Sequence, residues 1–94
     1  MNIPGAYLKI SALTAKDKRD IEFGVKNGVD FMAISFVRTA GDILKLRSIL
    51  EKAKADIKII AKIETKEAIE NIDKIISAAD GIMVARGDLA VEVS

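Results

Sequence analysis

Apolar residues along this chain fall into short blocks whose spacing alternates between helical and extended. Residues 1–14, with Pro4-Gly5 and only loose alternation, read as a turn and an extended lead-in. Ile21, Phe23 and Val25 then lie in a charged stretch that opens after Thr14, with Asp17 three residues further on, and stops at Asn27-Gly28. That pattern predicts a helix with a threonine N-cap and a glycine stop. Val29 to Phe36 is a nearly continuous apolar run of strand length, too short for a helix of its own. From Ala40 to about Ala53, Ile43, Leu44, Leu46, Ile49 and Leu50 recur at helical spacing, with Lys45, Arg47, Glu51 and Lys52 on the other face. Ile57 to Glu64 is a second β-branched run. Lys66 to Ala78 returns to helical spacing, and Gly81 to Ala85 is a third apolar run that ends in Arg86-Gly87-Asp88.

The predicted order is helix, strand, helix, strand, helix, strand. Strand starts near 29, 57 and 81 are roughly 25 residues apart, the length of one βα unit with its right-handed crossover. The fold class is therefore α/β, built from parallel βα repeats. Burial on both faces explains why these strands read as runs rather than alternation. Two architectures fit: a minimal αβ sandwich, or an arc of a (β/α)8 TIM barrel, which takes about 250 residues to close. An unclosed arc leaves exposed strand edges. Residues 1–94 contain no linker-like stretch and read as one domain.

Composition narrows the chemistry. Lys plus Arg is 15 and Asp plus Glu is 14, a net charge of +1, so the basic excess of a nucleic-acid binder is missing. With no Cys and no His, thiol nucleophiles, disulfides, imidazole bases and the usual zinc ligands are excluded, leaving carboxylates and lysines. No apolar run approaches the roughly 20 residues of a membrane span, and no signal-like core follows Met1, so the expected location is cytoplasmic.

In parallel sheets and barrels, functional groups gather at the carboxyl ends of strands. The second predicted strand ends Ala61-Lys62-Ile63-Glu64, and alternation puts Lys62 and Glu64 on one face. The third ends Ala85-Arg86-Gly87-Asp88, with a glycine that lets backbone amides approach a ligand. If these strands are neighbours, Glu64 and Asp88 can converge on one hard cation, Mg²⁺ or Mn²⁺, which binds few protein groups. The competing interpretation is that Lys62, Glu64, Arg86 and Asp88 form ordinary strand-end salt bridges. Ser35, without a base beside it, reads as a tolerated small polar residue.

Val29 to Arg38, Ile57 to Glu64 and Asp80 to Leu89, together with Asn2-Ile3-Pro4-Gly5 and Leu13 to Asp17, closely resemble successive segments of the pyruvate kinase catalytic barrel. The resemblance implies about three βα units of that barrel over residues 1–94, without the family's lid and C-terminal domains. It implies a part in phosphoryl transfer from phosphoenolpyruvate to ADP, giving pyruvate and ATP in glycolysis. By resemblance, Lys62 contacts the transferring phosphoryl group, and Glu64 and Asp88 hold Mg²⁺ or Mn²⁺. Gly87 and Asp88 offer backbone amides to the substrate carboxylate, helped by a helix starting after Leu89. The family's K⁺ has its ligands outside this chain. Ala90 stands where the family usually has glycine, and Ser11 and Ser94 where prolines are common. Alone, the chain is expected to be non-catalytic and to self-associate through its edges, and a non-catalytic folding or self-association module is the alternative function. An aldolase-type lyase is a third reading, disfavoured by the lysine beside Glu64.

Overall fold

A computed structural model describes residues 7–10, 15–86 and 89–93. In chain order the elements are β1 (Tyr7–Ile10), α1 (Ala15–Asn27), β2 (Phe31–Ile34), α2 (Ala40–Lys52), β3 (Lys58–Ile63), α3 (Lys66–Glu70), α4 (Ile72–Ala78), β4 (Gly81–Arg86) and β5 (Leu89–Val93). They build one sheet in the order β1-β2-β3-β4-β5. The first four strands are parallel, and β5 folds back antiparallel on β4.

This order decides between the two architectures. Each parallel strand is laid down beside the one before it, so successive right-handed crossovers keep the helices on one side of the sheet. A doubly wound sandwich reverses its strand order at a switch point, and this sheet does not. The architecture is an arc of a βα barrel.

Three expectations need correction. The extended lead-in contains a true strand: Tyr7, Leu8, Lys9 and Ile10 pair in parallel with Phe31, Met32, Ala33 and Ile34. Four residues give too little alternation to distinguish a strand from a loop, and the pairing partner lies in a later unit. The helix expected after Leu89 is instead β5, which pairs from Leu89 opposite Arg86 to Val93 opposite Ile82. Its Ala-Val-Glu-Val segment is β-branched and alternating, so the available edge of β4 wins over helix formation. The single helix expected over 66–78 is broken at Asn71, which sits at φ −104° and ψ 18° between α3 and α4.

Local chemistry sets the boundaries. Gly28 has φ 66°, its N–H donates to Val25 O (3.3 Å), and Val29 N–H donates to Gly24 O (3.1 Å). This is a Schellman ending, where a left-handed residue costs glycine nothing. The predicted Thr14 cap lies outside the described residues. Thr65 caps α3, its hydroxyl accepting from Ala68 N–H at 3.0 Å.

The core lies between the sheet and its helices. Met32, Ile34, Ile59, Ala61, Ile63 and Ile82 meet Ile21, Ile43, Leu46, Leu50, Ala68 and Ile75 there. Period-two alternation sends Ala33, Ile60 and Lys62 to the opposite face, the concave side in a closed barrel. Ala33 and Ile60 are buried there as well, which accounts for the unbroken apolar runs.

The amino ends of β3 and β4 are tied by Asp80. Its carboxylate accepts from Ile59 N–H (2.9 Å) and from Arg47 Nη2 (3.1 Å), and its own N–H donates to Ile59 O (2.9 Å). Arg47 reaches on to Ala78 O at 2.7 Å, binding α2 into the same knot. Burial alone pushes the Asp80 carboxyl up, but the Ile59 N–H, the Arg47 hydrogen bond and charge, and Lys58 outweigh it and hold it below the ordinary carboxylate value. A folded value below the unfolded one stabilises the fold above the unfolded value, and that contribution is lost as pH falls through the folded value. Urea unfolding of wild type and Asp80→Asn should therefore differ most near pH 7 and converge below about pH 4. A gap unchanged down to about pH 2 would contradict this role.

Candidate functional site

β3 and β4 are parallel neighbours, with Ile60 beside Gly81, Lys62 beside Met83 and Ile63 beside Val84. This is the adjacency that convergence of their carboxyl ends requires. Ile63 points into the helix-side core, so Lys62 before it and Glu64 after it emerge together on the opposite side. Their side chains meet, with Lys62 Nζ 3.2 Å from Glu64 Oε1, and are only 14% and 16% exposed. An ion pair so far removed from water gains little net stability, because desolvation offsets much of its attraction. Removing one partner, in contrast, leaves a charge largely out of water.

The second oxygen of Glu64 is also engaged. Glu64 Oε2 accepts from Phe36 N–H at 2.8 Å, across to the turn after β2. Phe36 has φ 55°, in the left-handed region that costs a residue with a side chain about 1–2 kcal/mol. Its ring is 62% exposed, so ring packing does not hold this conformation. Backbone partners do. Thr65 Oγ1 donates to Val37 O (3.4 Å), Asn71 Nδ2 donates to Arg38 O (3.0 Å), and Asp42 Oδ2 accepts from Arg38 N–H (2.9 Å) and Thr39 N–H (3.3 Å). The turn after β2 is thus clasped from one side by its own helix and from the other by the next βα unit.

Of the residues singled out in the sequence, Lys62 and Glu64 are brought together at the carboxyl end of β3. Gly87 and Asp88 lie outside the described residues, and β4 is followed as far as Arg86. Ser35 sits in the turn after β2, partly buried. Phe36, Thr65 and Asn71 do not stand out in the sequence as site residues. A threonine directly before a helical segment is a legible cap signal for Thr65. A left-handed phenylalanine and a side chain that reaches 33 positions back leave no local trace.

The carboxylate of Glu64 supplies hard oxygen donors fixed from two sides. Among the described residues no three His, Cys, Asp or Glu side chains group as a metal cage. Mg²⁺ needs no such cage, since it takes one or two carboxylates and completes its shell with water and substrate oxygens, so the donor set fits it. No helix among the described residues is long and apolar enough to cross a membrane.

Parallel strands in sequential order, with a charged pair held at the carboxyl end of β3, define a segment of a βα barrel. Comparison with known proteins makes the assignment specific. Residues 1–94 match the family model described as the barrel domain of pyruvate kinase. The chain is 53% identical over 94 residues to pyruvate kinase of Geobacillus stearothermophilus, covering 99% of this chain and 16% of that protein. It is 50% identical over 93 residues to pyruvate kinase of Staphylococcus aureus (strain MRSA252), with shares of 99% and 16%. Against pyruvate kinase 1 of Saccharomyces cerevisiae identity is 48% over 93 residues, with shares of 99% and 19%. The chain belongs to the pyruvate kinase barrel-domain family, and it spans less than a fifth of the length of these relatives.

Proposed function

We propose that this chain forms the phosphoryl- and metal-facing wall of a pyruvate kinase barrel, in an enzyme that moves the phosphoryl group of phosphoenolpyruvate to ADP. The observation that supports this most directly is the Lys62–Glu64 pair at the carboxyl end of β3, with Glu64 fixed by Phe36 N–H. In the reaction the enol C–O–P linkage breaks at phosphorus, a bond forms to the terminal oxygen of ADP, and the enolate left behind takes a proton at carbon to give pyruvate.

Lys62 acts as a fixed cation. Charge on the equatorial oxygens of a loose phosphoryl transition state is stabilised by a cation already in place, with no reorganisation at the moment of transfer. Glu64 and Asp88 are the residues that would hold Mg²⁺ or Mn²⁺, and a divalent ion there would supply charge neutralisation for the substrate oxygens. Glu64 is fixed for this role from two sides, Oε1 by Lys62 and Oε2 by Phe36 N–H. Gly87 and Asp88 present backbone amides to the substrate carboxylate. No residue of this chain is assigned to K⁺. Such an enzyme belongs to glycolysis in the cytoplasm, and this wall needs the remainder of a barrel to act.

A chimera tests the assignment. The matching segment of the Geobacillus stearothermophilus enzyme is replaced by these 94 residues, and pyruvate formation is measured in a coupled assay. The chimera should turn over, Lys62→Met should lower kcat by about 100- to 1000-fold, and the 94-residue chain alone should be inactive. A Lys62→Met chimera with unchanged kcat would overturn the role of Lys62.

A second property, self-association of the isolated chain, is supported by the open sheet. Among the described residues β1 and β5 each have one neighbouring strand, and unpaired edges template pairing with another copy. Light scattering should show a mass that grows with concentration; a constant monomer mass contradicts it.

A further inference from the structure

We propose that Asn71 is a positioning residue for the Glu64 carboxylate, acting through the backbone of the turn after β2; the inference rests on the role proposed for Glu64. Three consecutive residues of that turn are held by the next βα unit. Phe36 N–H donates to Glu64 Oε2 (2.8 Å), Val37 O accepts from Thr65 Oγ1 (3.4 Å), and Arg38 O accepts from Asn71 Nδ2 (3.0 Å). The left-handed backbone of Phe36 is unfavourable for a residue with a side chain, so external contacts must maintain it. If the turn relaxes, the N–H that fixes Oε2 is withdrawn, and Glu64 is left with Lys62 alone.

Asn71 is the cleaner clasp to remove: it stands at the junction of α3 and α4, but its side chain makes no cap hydrogen bond there. Thr65 also caps α3, so its loss disturbs a helix as well as the turn. Asn71 interrupts the 66–78 segment without a proline or glycine to cause the break. Asparagine leaves helical geometry readily because its side chain competes for backbone partners, and here that partner is Arg38 O. The break between α3 and α4 thus carries the amide to the turn, and the sequence position that looks like a helix interior serves the rim of the barrel.

The test compares the wild-type chain with Asn71→Leu, which keeps the size and loses the donor, and Asn71→Gln, which keeps an amide. Asn71→Ala replaces the leucine variant if that one does not fold. Hydrogen exchange at the Phe36 amide is measured against the Ile60 amide of the sheet centre, and Mn²⁺ affinity by water-proton relaxation. Asn71→Leu should speed Phe36 exchange about tenfold beyond any change at Ile60 and weaken Mn²⁺ about 3- to 10-fold, with Asn71→Gln closer to wild type. A purely structural role would move Ile60 and Phe36 together, and that result overturns the proposal. If wild type binds no Mn²⁺, the metal role of Glu64 fails, while Phe36 exchange still decides whether Asn71 positions the carboxylate.

Discussion

The carboxylate of Glu64 joins the ends of two neighbouring strands, and the carboxyl-end rim of this arc depends on that junction. One oxygen faces Lys62 on its own strand and the other accepts the backbone N–H of Phe36 beyond β2. A carboxylate free to rotate would offer a cation an entropy cost and a desolvation cost together. One that is already fixed has met the first during folding, which is what preorganisation means at a charged site. The same contact stabilises a left-handed residue that the turn cannot maintain unaided.

Two polar knots divide the labour of the sheet. At the amino ends of β3 and β4, Asp80, Arg47 and the Ile59 backbone make a closed set in which each group has a partner, and its consequence is stability. At the carboxyl ends, the contacts around Glu64 also satisfy one another, but the groups they fix are a cation and an anion with unused valence. The two knots lie at opposite ends of β3, the first tying it to β4 and the second to the turn after β2. Helix α2 contributes to both, with Arg47 in the first knot and Asp42 holding the turn that carries Phe36.

Much of this is legible in the sequence. The three βα repeats, the glycine stop at Gly28 and the shared face of Lys62 and Glu64 all come from local rules: helical spacing, strand length and two-residue alternation. Local spacing leaves the sandwich and the barrel arc both open; the family resemblance points to the arc, and the sequential strand order shows it. β1 escapes those rules because its four residues acquire meaning through pairing with β2. At β5 the family resemblance points to a helix, whereas the alternation of Leu89 to Val93 fits the free edge of β4, and the edge prevails. The break at Asn71 and the backbone of Phe36 leave no signal because both are imposed by contacts between residues about 30 positions apart.

The most direct measurement is Mn²⁺-induced broadening of backbone amide signals in the 15N-labelled chain, at metal far below stoichiometry. A cation held by Glu64 broadens the amides of Ser35, Phe36, Val37, Ile63, Glu64 and Thr65 first, and leaves Ile59 and Asp80 at the other end of the strands sharp. Broadening centred on Asp80, or spread evenly over the exposed acidic residues, would contradict a cation site at the carboxyl end of β3.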